Sequence, residues 1–230
     1  VVGQTNSGEI IGLDKSDGQI LGTYRSKLPL LTIRGSSSPV IEDNLIYASF
    51  DNGRLGVFEL ASGFQIWDGA ISYVRGVSEL ENLIDSDSDP VVDSGLIYTT
   101  NYQGNVNIFD TSQRRSIWNY ETSSFYSPLI SRGMMAVVET DSTIRAFALK
   151  TLQESWVSDE YLNRELSNAV NFKGSLVVGD FEGHIHIIDL LNGRTLSRKK
   201  VSKKPIKTIF SRSDSLYVVD EAFNLISINI

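Results

Sequence analysis

The chain has 230 residues, 41% of them hydrophobic, with a formal net charge of −7 and no cysteine. This is enough apolar material for a sizeable core. The acidity argues against a general nucleic-acid binder, which needs a basic face to release counterions, and the missing thiols exclude disulfides, cysteine zinc sites and thiol nucleophiles. No run of 18 or more apolar residues occurs, so no helical membrane span is expected.

Val1 opens inside a strand-like segment with no Met before it, which predicts that an N-terminal portion has been removed. After a partial unit over 1–38, two markers recur in step. A Pro that opens a β run stands at Pro39, Pro90 and Pro128, with Ala169 in its place the fourth time, and a turn residue ahead of a later β run stands at Gly53, Gly104, Ser142 and Gly183. Both series are spaced 51, 38 and 41 residues, so insertions move the two markers together. Units over 39–89, 90–127, 128–168 and 169–204, with a partial one over 205–230, read as propeller blades. The expected fold is all-β: a single propeller fragment of about five and a half four-stranded blades.

Each unit reads as four strands. A short strand follows the Pro (Val40-Ile41, Val91-Val92, Leu129-Ile130, Val170-Asn171), then a second (Leu45 to Phe50, Leu96 to Thr100, Met134 to Val138, Leu176 to Val178). Turns such as Asp51-Asn52-Gly53 lead into a third strand, with Leu55, Val57 and Phe58, or Val106, Ile108 and Phe109, or Ile185, Ile187 and Ile188. Turns such as Ala61-Ser62-Gly63 and Asn192-Gly193 lead into the fourth. Three fourth strands carry a Trp at one position, Trp67, Trp118 and Trp156, while Gly22 and Ser197 hold that position in the other two units. A large flat ring repeated in successive blades is expected to wedge between neighbouring sheets.

The connections from Gly22 to Pro39 and from Trp67 to Pro90 are the long ones. In a propeller, fourth-to-first connections leave on the same face as the second-to-third turns, so these two are expected to be neighbours on a binding face. The second holds Glu79, Glu81, Asp85, Asp87 and Asp89, and its stretch Ser78 to Ile84 has the N-cap and following Glu81 of one helical turn. Leu31, Ile33, Leu80, Leu83 and Ile84 either fold back on the blade edges or form a contact patch. His184 and His186, two apart on a strand, are expected as polar side chains on an exposed face; a metal pair would need a third ligand. The basic run from Arg198 to Lys207 is expected as a solvated fourth strand and loop.

Four stretches carry a resemblance: Arg34-Gly35-Ser36-Ser37-Ser38-Pro39, the turn Asp51-Asn52-Gly53-Arg54, the loop Ser78-Glu79-Leu80-Glu81-Asn82-Leu83-Ile84-Asp85-Ser86-Asp87 ahead of Pro90-Val91-Val92, and Leu176 to Gly183. Together they resemble the BamB family, propeller lipoproteins of the bacterial outer-membrane β-barrel assembly machinery. The repeat alone indicates the broader quinoprotein-like class, and the Ser78 to Asp87 loop is the specific signal. The resemblance implies that the chain is the C-terminal portion of an eight-bladed ring, whose lipid-anchor Cys is absent here. It implies a non-catalytic scaffold at the periplasmic face of the outer membrane, without cofactor, metal or nucleic acid. The implied partners are the periplasmic POTRA repeats of the BamA subunit and unfolded outer-membrane proteins. Carried onto this sequence, the partner-binding residues are Leu31, Ile33 and Arg34 in the first loop and Asp85 and Asp87 in the second, with Ile33 standing where the family has Leu.

Two other functions stay open on sequence. A quinone (PQQ)-dependent dehydrogenase shares the repeat, but needs calcium ligands and an Asp base, and Asp85 with Asp87 offers too few oxygens for that ion. A generic interaction propeller of the WD type would end its blades in Trp-Asp, and Trp67-Asp68 occurs once. The segment near Val1 and the strand Leu225 to Ile230 are expected to lack neighbours and to pair with another chain.

Overall fold

The structure, a computed structural model, describes residues 1–5, 9–25, 37–50, 54–70, 88–102 and 104–228. These residues form six antiparallel sheets, each made of consecutive strands, and contain no helix. The first sheet holds β1 (Val2–Gln4), β2 (Glu9–Leu13) and β3 (Ile20–Arg25). The second holds β4 (Val40–Glu42), β5 (Leu45–Phe50), β6 (Arg54–Glu59) and β7 (Gln65–Ala70), and the third holds β8 (Val91–Asp93), β9 (Leu96–Thr100), β10 (Gly104–Asp110) and β11 (Arg115–Thr122). In the fourth are β12 (Leu129–Ser131), β13 (Met134–Val138), β14 (Ile144–Ala148) and β15 (Gln153–Ser158); in the fifth, β16 (Val170–Phe172), β17 (Ser175–Gly179), β18 (His184–Ile188) and β19 (Thr195–Lys200). The last holds β20 (Ile206–Arg212), β21 (Ser215–Asp220) and β22 (Leu225–Ile228). Four complete blades are thus flanked by two of three strands, the propeller architecture that the repeat predicts.

Local sequence explains the plan. The first two strands of a blade are joined by two-residue hairpins whose central residues both have positive φ: Asp43 and Asn44 (47° and 64°), Ser94 and Gly95 (52° and 77°), Arg132 and Gly133 (52° and 73°), Lys173 and Gly174 (50° and 81°). This turn matches the right-handed twist of the strands it joins, and Asn and Gly are the residues that tolerate it. The middle strands are then buried on both faces. Ile46 to Phe50 of β5 are all buried, because the first and third sheets pack on the two faces of the second, and Met134 to Val138 of β13 are buried as well. The outer strands β15 and β19 are mostly exposed and carry polar and charged residues, which discourages pairing with other chains.

The chain divides into two compact units, Val1–Ser127 and Pro128–Ile230. In the first, Tyr47, Leu55, Val57, Ile97 and Phe109 form a core between the second and third sheets, with Trp67 packed against it. The Trp67 and Phe109 rings are 5.8 Å apart. In the second unit, Phe172, Val177, Ile185, Ile206, Ile209, Leu216, Val218 and Ile228 bury the face between the fifth and sixth sheets. Trp156 also crosses to the next sheet: its Nε1 donates to the Leu190 carbonyl at 3.0 Å. The wedge role expected of the tryptophans therefore holds at Trp67 and Trp156.

Candidate functional site

Leu31, Ile33, Arg34, Asp85 and Asp87 lie outside the described residues, as does the expected helical turn over 78–84. What the structure describes is where the two long connections end. Ser37 and Ser88, each two residues before its Pro, are buried and tied to the second strand of their own blade. Ser37 Oγ donates to the Ser49 carbonyl (2.9 Å), and Ser88 Oγ donates to the Thr100 carbonyl (2.7 Å) while accepting the Thr100 amide (3.2 Å). Ser167, two residues before Ala169, repeats the arrangement by accepting the Gly179 amide (2.9 Å). This clamp is readable in the sequence as a Ser two positions ahead of Pro39, Pro90 and Ala169, whereas Tyr126 stands at that place ahead of Pro128.

The two ends also meet. The Ser38 amide donates to Asp89 Oδ1 at 2.5 Å, and Ser127 Oγ donates to the Asp89 carbonyl at 2.8 Å. Burial pushes the Asp89 carboxyl above the usual carboxylate range, and the Ser38 amide opposes that rise. The ends of the connections that precede the second and third blades are thus held side by side in the first unit.

The second unit shows why connections and turns share a face. In the connection over 159–168, the Asn163 amide donates to the Asp141 carbonyl (2.9 Å), and the Phe181 amide donates to the Arg164 carbonyl (3.1 Å). The segment therefore lies across the second-to-third turns of two blades. Asp180, with no exposed side-chain surface, is the centre of this corner. Its Oδ1 accepts the amides of Glu182 (3.0 Å) and His184 (2.9 Å), and its Oδ2 accepts Arg164 Nη2 (2.6 Å), Arg164 Nε (3.0 Å) and His186 Nε2 (2.8 Å). Burial would raise its pKa, but the His184 amide, the His186 ring and the Arg164 guanidinium outweigh burial and hold it down to about 2. Gly183 completes the turn at φ 83°, where a Cβ would run into the Ser202 and Lys204 carbonyls.

The histidines differ from expectation. His186 is buried, 3% exposed, and only His184 keeps partial access to solvent. Strand alternation does put the two on one face, but that face is turned toward the connection and not to solvent. Burial lowers the His186 pKa, against the pull of Asp180, so the ring is neutral at pH 7 and donates through Nε2. The two histidines do not share a ligand set: among the described residues, His184 groups with Asp180 and Glu182, one ligand atom each within 4.8 Å, and His186 is not part of it. The protein's own cations already serve these oxygens, however. Arg164 Nη2 reaches Glu182 Oε2 at 2.5 Å, Arg198 Nη2 reaches it at 2.8 Å, and Arg198 Nη2 also lies 3.1 Å from His184 Nδ1. A carboxylate this fully bonded and ionised is a structural tie, with no nucleophile beside it among the described residues. Sequence reasoning missed Arg164 and Asp180 because their link spans 16 residues and belongs to no local motif.

The chain matches the family model described as outer membrane protein assembly factor BamB over residues 1–158 and 121–226. Proteins named outer membrane protein assembly factor BamB are similar to it: that of Moranella endobia is 30% identical over 93% of this chain and 55% of the relative, and that of Yersinia pestis 32% identical over 86% and 50%. The chain therefore spans about half the length of the relatives it matches. The crystal structure of BamB from Moraxella catarrhalis superposes with a TM-score of 0.88 at 25% identity, covering 99% of this chain and 68% of that one. A computationally designed protein, Ika8, shares the fold with a TM-score of 0.74 at 14% identity, covering 99% of this chain and 67% of that one.

Proposed function

The chain belongs to the outer membrane protein assembly factor BamB family, and from that premise we propose that it is a non-catalytic scaffold that binds the BamA subunit and aids the folding and insertion of outer-membrane proteins. It works at the periplasmic face of the outer membrane, held there in the whole protein by a lipid anchor. The relatives are named as assembly factors, which supports this reading over an enzyme.

The partner surface is a composite of the two long connections. Leu31, Ile33 and Arg34 come from the first, Asp85 and Asp87 from the second, and together they take a POTRA repeat. The observation that carries this is the Ser38 to Asp89 hydrogen bond, which joins the ends of the two connections four residues after Arg34 and two after Asp87. Leu31 and Ile33 supply apolar contact, and the opposite charges orient the partner. Loss of one member of a buried interfacial charge pair costs about 2 to 5 kcal/mol, against far less for a rim charge.

Calorimetric titration of purified POTRA repeats into the chain tests the site. Arg34→Ala and Asp87→Ala each weaken binding at least tenfold, and the double variant falls short of additive if the two side chains interact. Lys150→Ala, in an exposed turn of the other unit, binds like the parent. If both loop variants stay folded and bind like the parent, the composite site is wrong.

A further inference from the structure

The position that holds Trp in three blades is Gly22 in the first sheet, and the structure shows what that exchange leaves behind. In the second unit, Trp156 lies over the turn of the next blade. A Cβ on Gly193 would fall 2.6 Å from the indole, Nε1 donates to the Leu190 carbonyl at 3.0 Å, and Leu190 has no exposed surface. The matching turn below Gly22 is Leu60-Ala61-Ser62-Gly63, with Gly63 at φ 69° against 74° for Gly193. Here nothing stands within 4 Å of a Cβ placed on Gly22 or on Gly63, and Leu60, at the position of Leu190, is 37% exposed. The backbone seat for an indole is repeated and the indole is missing.

A cavity of about 390 Å³ occupies that place, at the small end of the ~300–1,000 Å³ range of small-molecule sites. Ile10, Tyr24, Ile46, Phe58, Leu60 and Gly63 line it. Its floor is rigid: Ile10, Ile46 and Phe58 are buried core residues, and the Tyr24 and Phe58 rings pack 4.4 Å apart. Val1, Val2 and Leu13 line it as well, beside Gly22 and the 60–63 turn.

We propose that this cavity is a binding site for an indole ring, taken up as a free indole compound or as the tryptophan side chain of another polypeptide. The ring lies over Gly63 as Trp156 lies over Gly193, and its N–H faces the Leu60 carbonyl as Trp156 Nε1 faces that of Leu190. Aromatic rings bury more area than other side chains and gain from neighbouring ring edges, which Tyr24 and Phe58 supply.

Fluorine NMR with 5-fluoroindole as the probe tests the proposal, together with methyl spectra of the isoleucines and leucines. Saturable broadening of the fluorine line and shifts of the Ile10, Ile46 and Leu60 methyls are expected. Gly22→Trp, which supplies the missing ring from within, lowers probe affinity at least tenfold. A capped Gly-Trp-Gly peptide separates the sources: binding that is lost in its Gly-Ala-Gly counterpart assigns the site to a side chain, and binding of 5-fluoroindole alone assigns it to a free compound. No saturable broadening, unmoved Ile46 and Leu60 methyls, or undiminished affinity in a folded Gly22→Trp protein overturns the proposal. If Gly22→Trp does not fold, the methyl map of the parent decides.

Discussion

The seam between the fourth and fifth sheets and the seam between the first and second follow one backbone plan and are filled in opposite ways. In the former, Trp156 covers Gly193 and seals Leu190 from solvent, and at the other end of the blade Arg164 reaches across to Asp180. In the latter, Gly22 covers nothing, and a cavity of about 390 Å³ stands over Gly63. The third-to-fourth hairpins pair alike in both, each with one register shift, between Ala146 and Phe147 and between Gly12 and Leu13. Strand pairing and turn chemistry therefore define the blade, while single residues at its margin decide whether adjoining blades are sealed or leave a site.

If that contrast is right, the sealed seam can be opened. Asp180→Ala removes the partner of Arg164 and His186 and leaves a partly buried guanidinium and a buried ring without it, so the loss is expected at about 3 to 5 kcal/mol. Trp156→Ala reproduces the Gly22 situation and costs about 3 kcal/mol, at the lower end for a Trp because this ring is only partly buried. Both appear as a lower denaturant midpoint with an unchanged slope. A midpoint that does not move in either variant would mean that the seam contributes little to stability.

The same corner gives the protein an acid sensitivity. His186 has a lowered folded pKa, so below about 6.5 the unfolded chain takes up a proton that the folded one refuses, and stability falls with pH. Asp180 has a folded pKa of about 2 against an ordinary value of 3.8; its contribution, of order 2 kcal/mol, is complete above 3.8 and is lost as pH falls toward 2. Denaturation curves at pH 7.5 and 5.5 should therefore differ in the parent and converge in His186→Gln. The same pH dependence in both proteins would show that the acid sensitivity arises elsewhere than at His186.

The smallest effect is expected from sealing the open seam. Gly22→Trp fills a cavity and should stabilise the chain by about 0.5 to 2 kcal/mol. A neutral or destabilising result would show that the first two sheets meet at an angle that does not accept the ring.

Much of this is legible in the sequence. The Pro and turn markers locate the blades because each strand pair is local, and the repeated Trp announces a wedge because a ring at one site in successive units meets the same neighbour each time. The two-residue hairpins are only half legible: Asn44, Gly95, Gly133 and Gly174 favour positive φ, but Ser94, Arg132 and Lys173 beside them give no such signal. His186 departs from expectation for a physical reason. Alternation along β18 reports a shared face, but in a propeller both faces of an inner strand are covered, so a polar residue there is no sign of solvent. Tyr161, whose ring packs 4.9 Å from that of His186, comes from a connection whose path depends on the turns of two blades. The cavity over Gly63 is half visible: Gly22 at the Trp position is apparent, but not that the next turn keeps the seat.

Whether the two long connections form one surface for BamA is decided by a photo-crosslinking residue at position 33. Irradiation of the chain mixed with purified POTRA repeats should yield one adduct, mapped to a single repeat and reduced when Asp87→Ala is added. An adduct at the same yield from a probe at position 150, or none at 33, would contradict a shared surface.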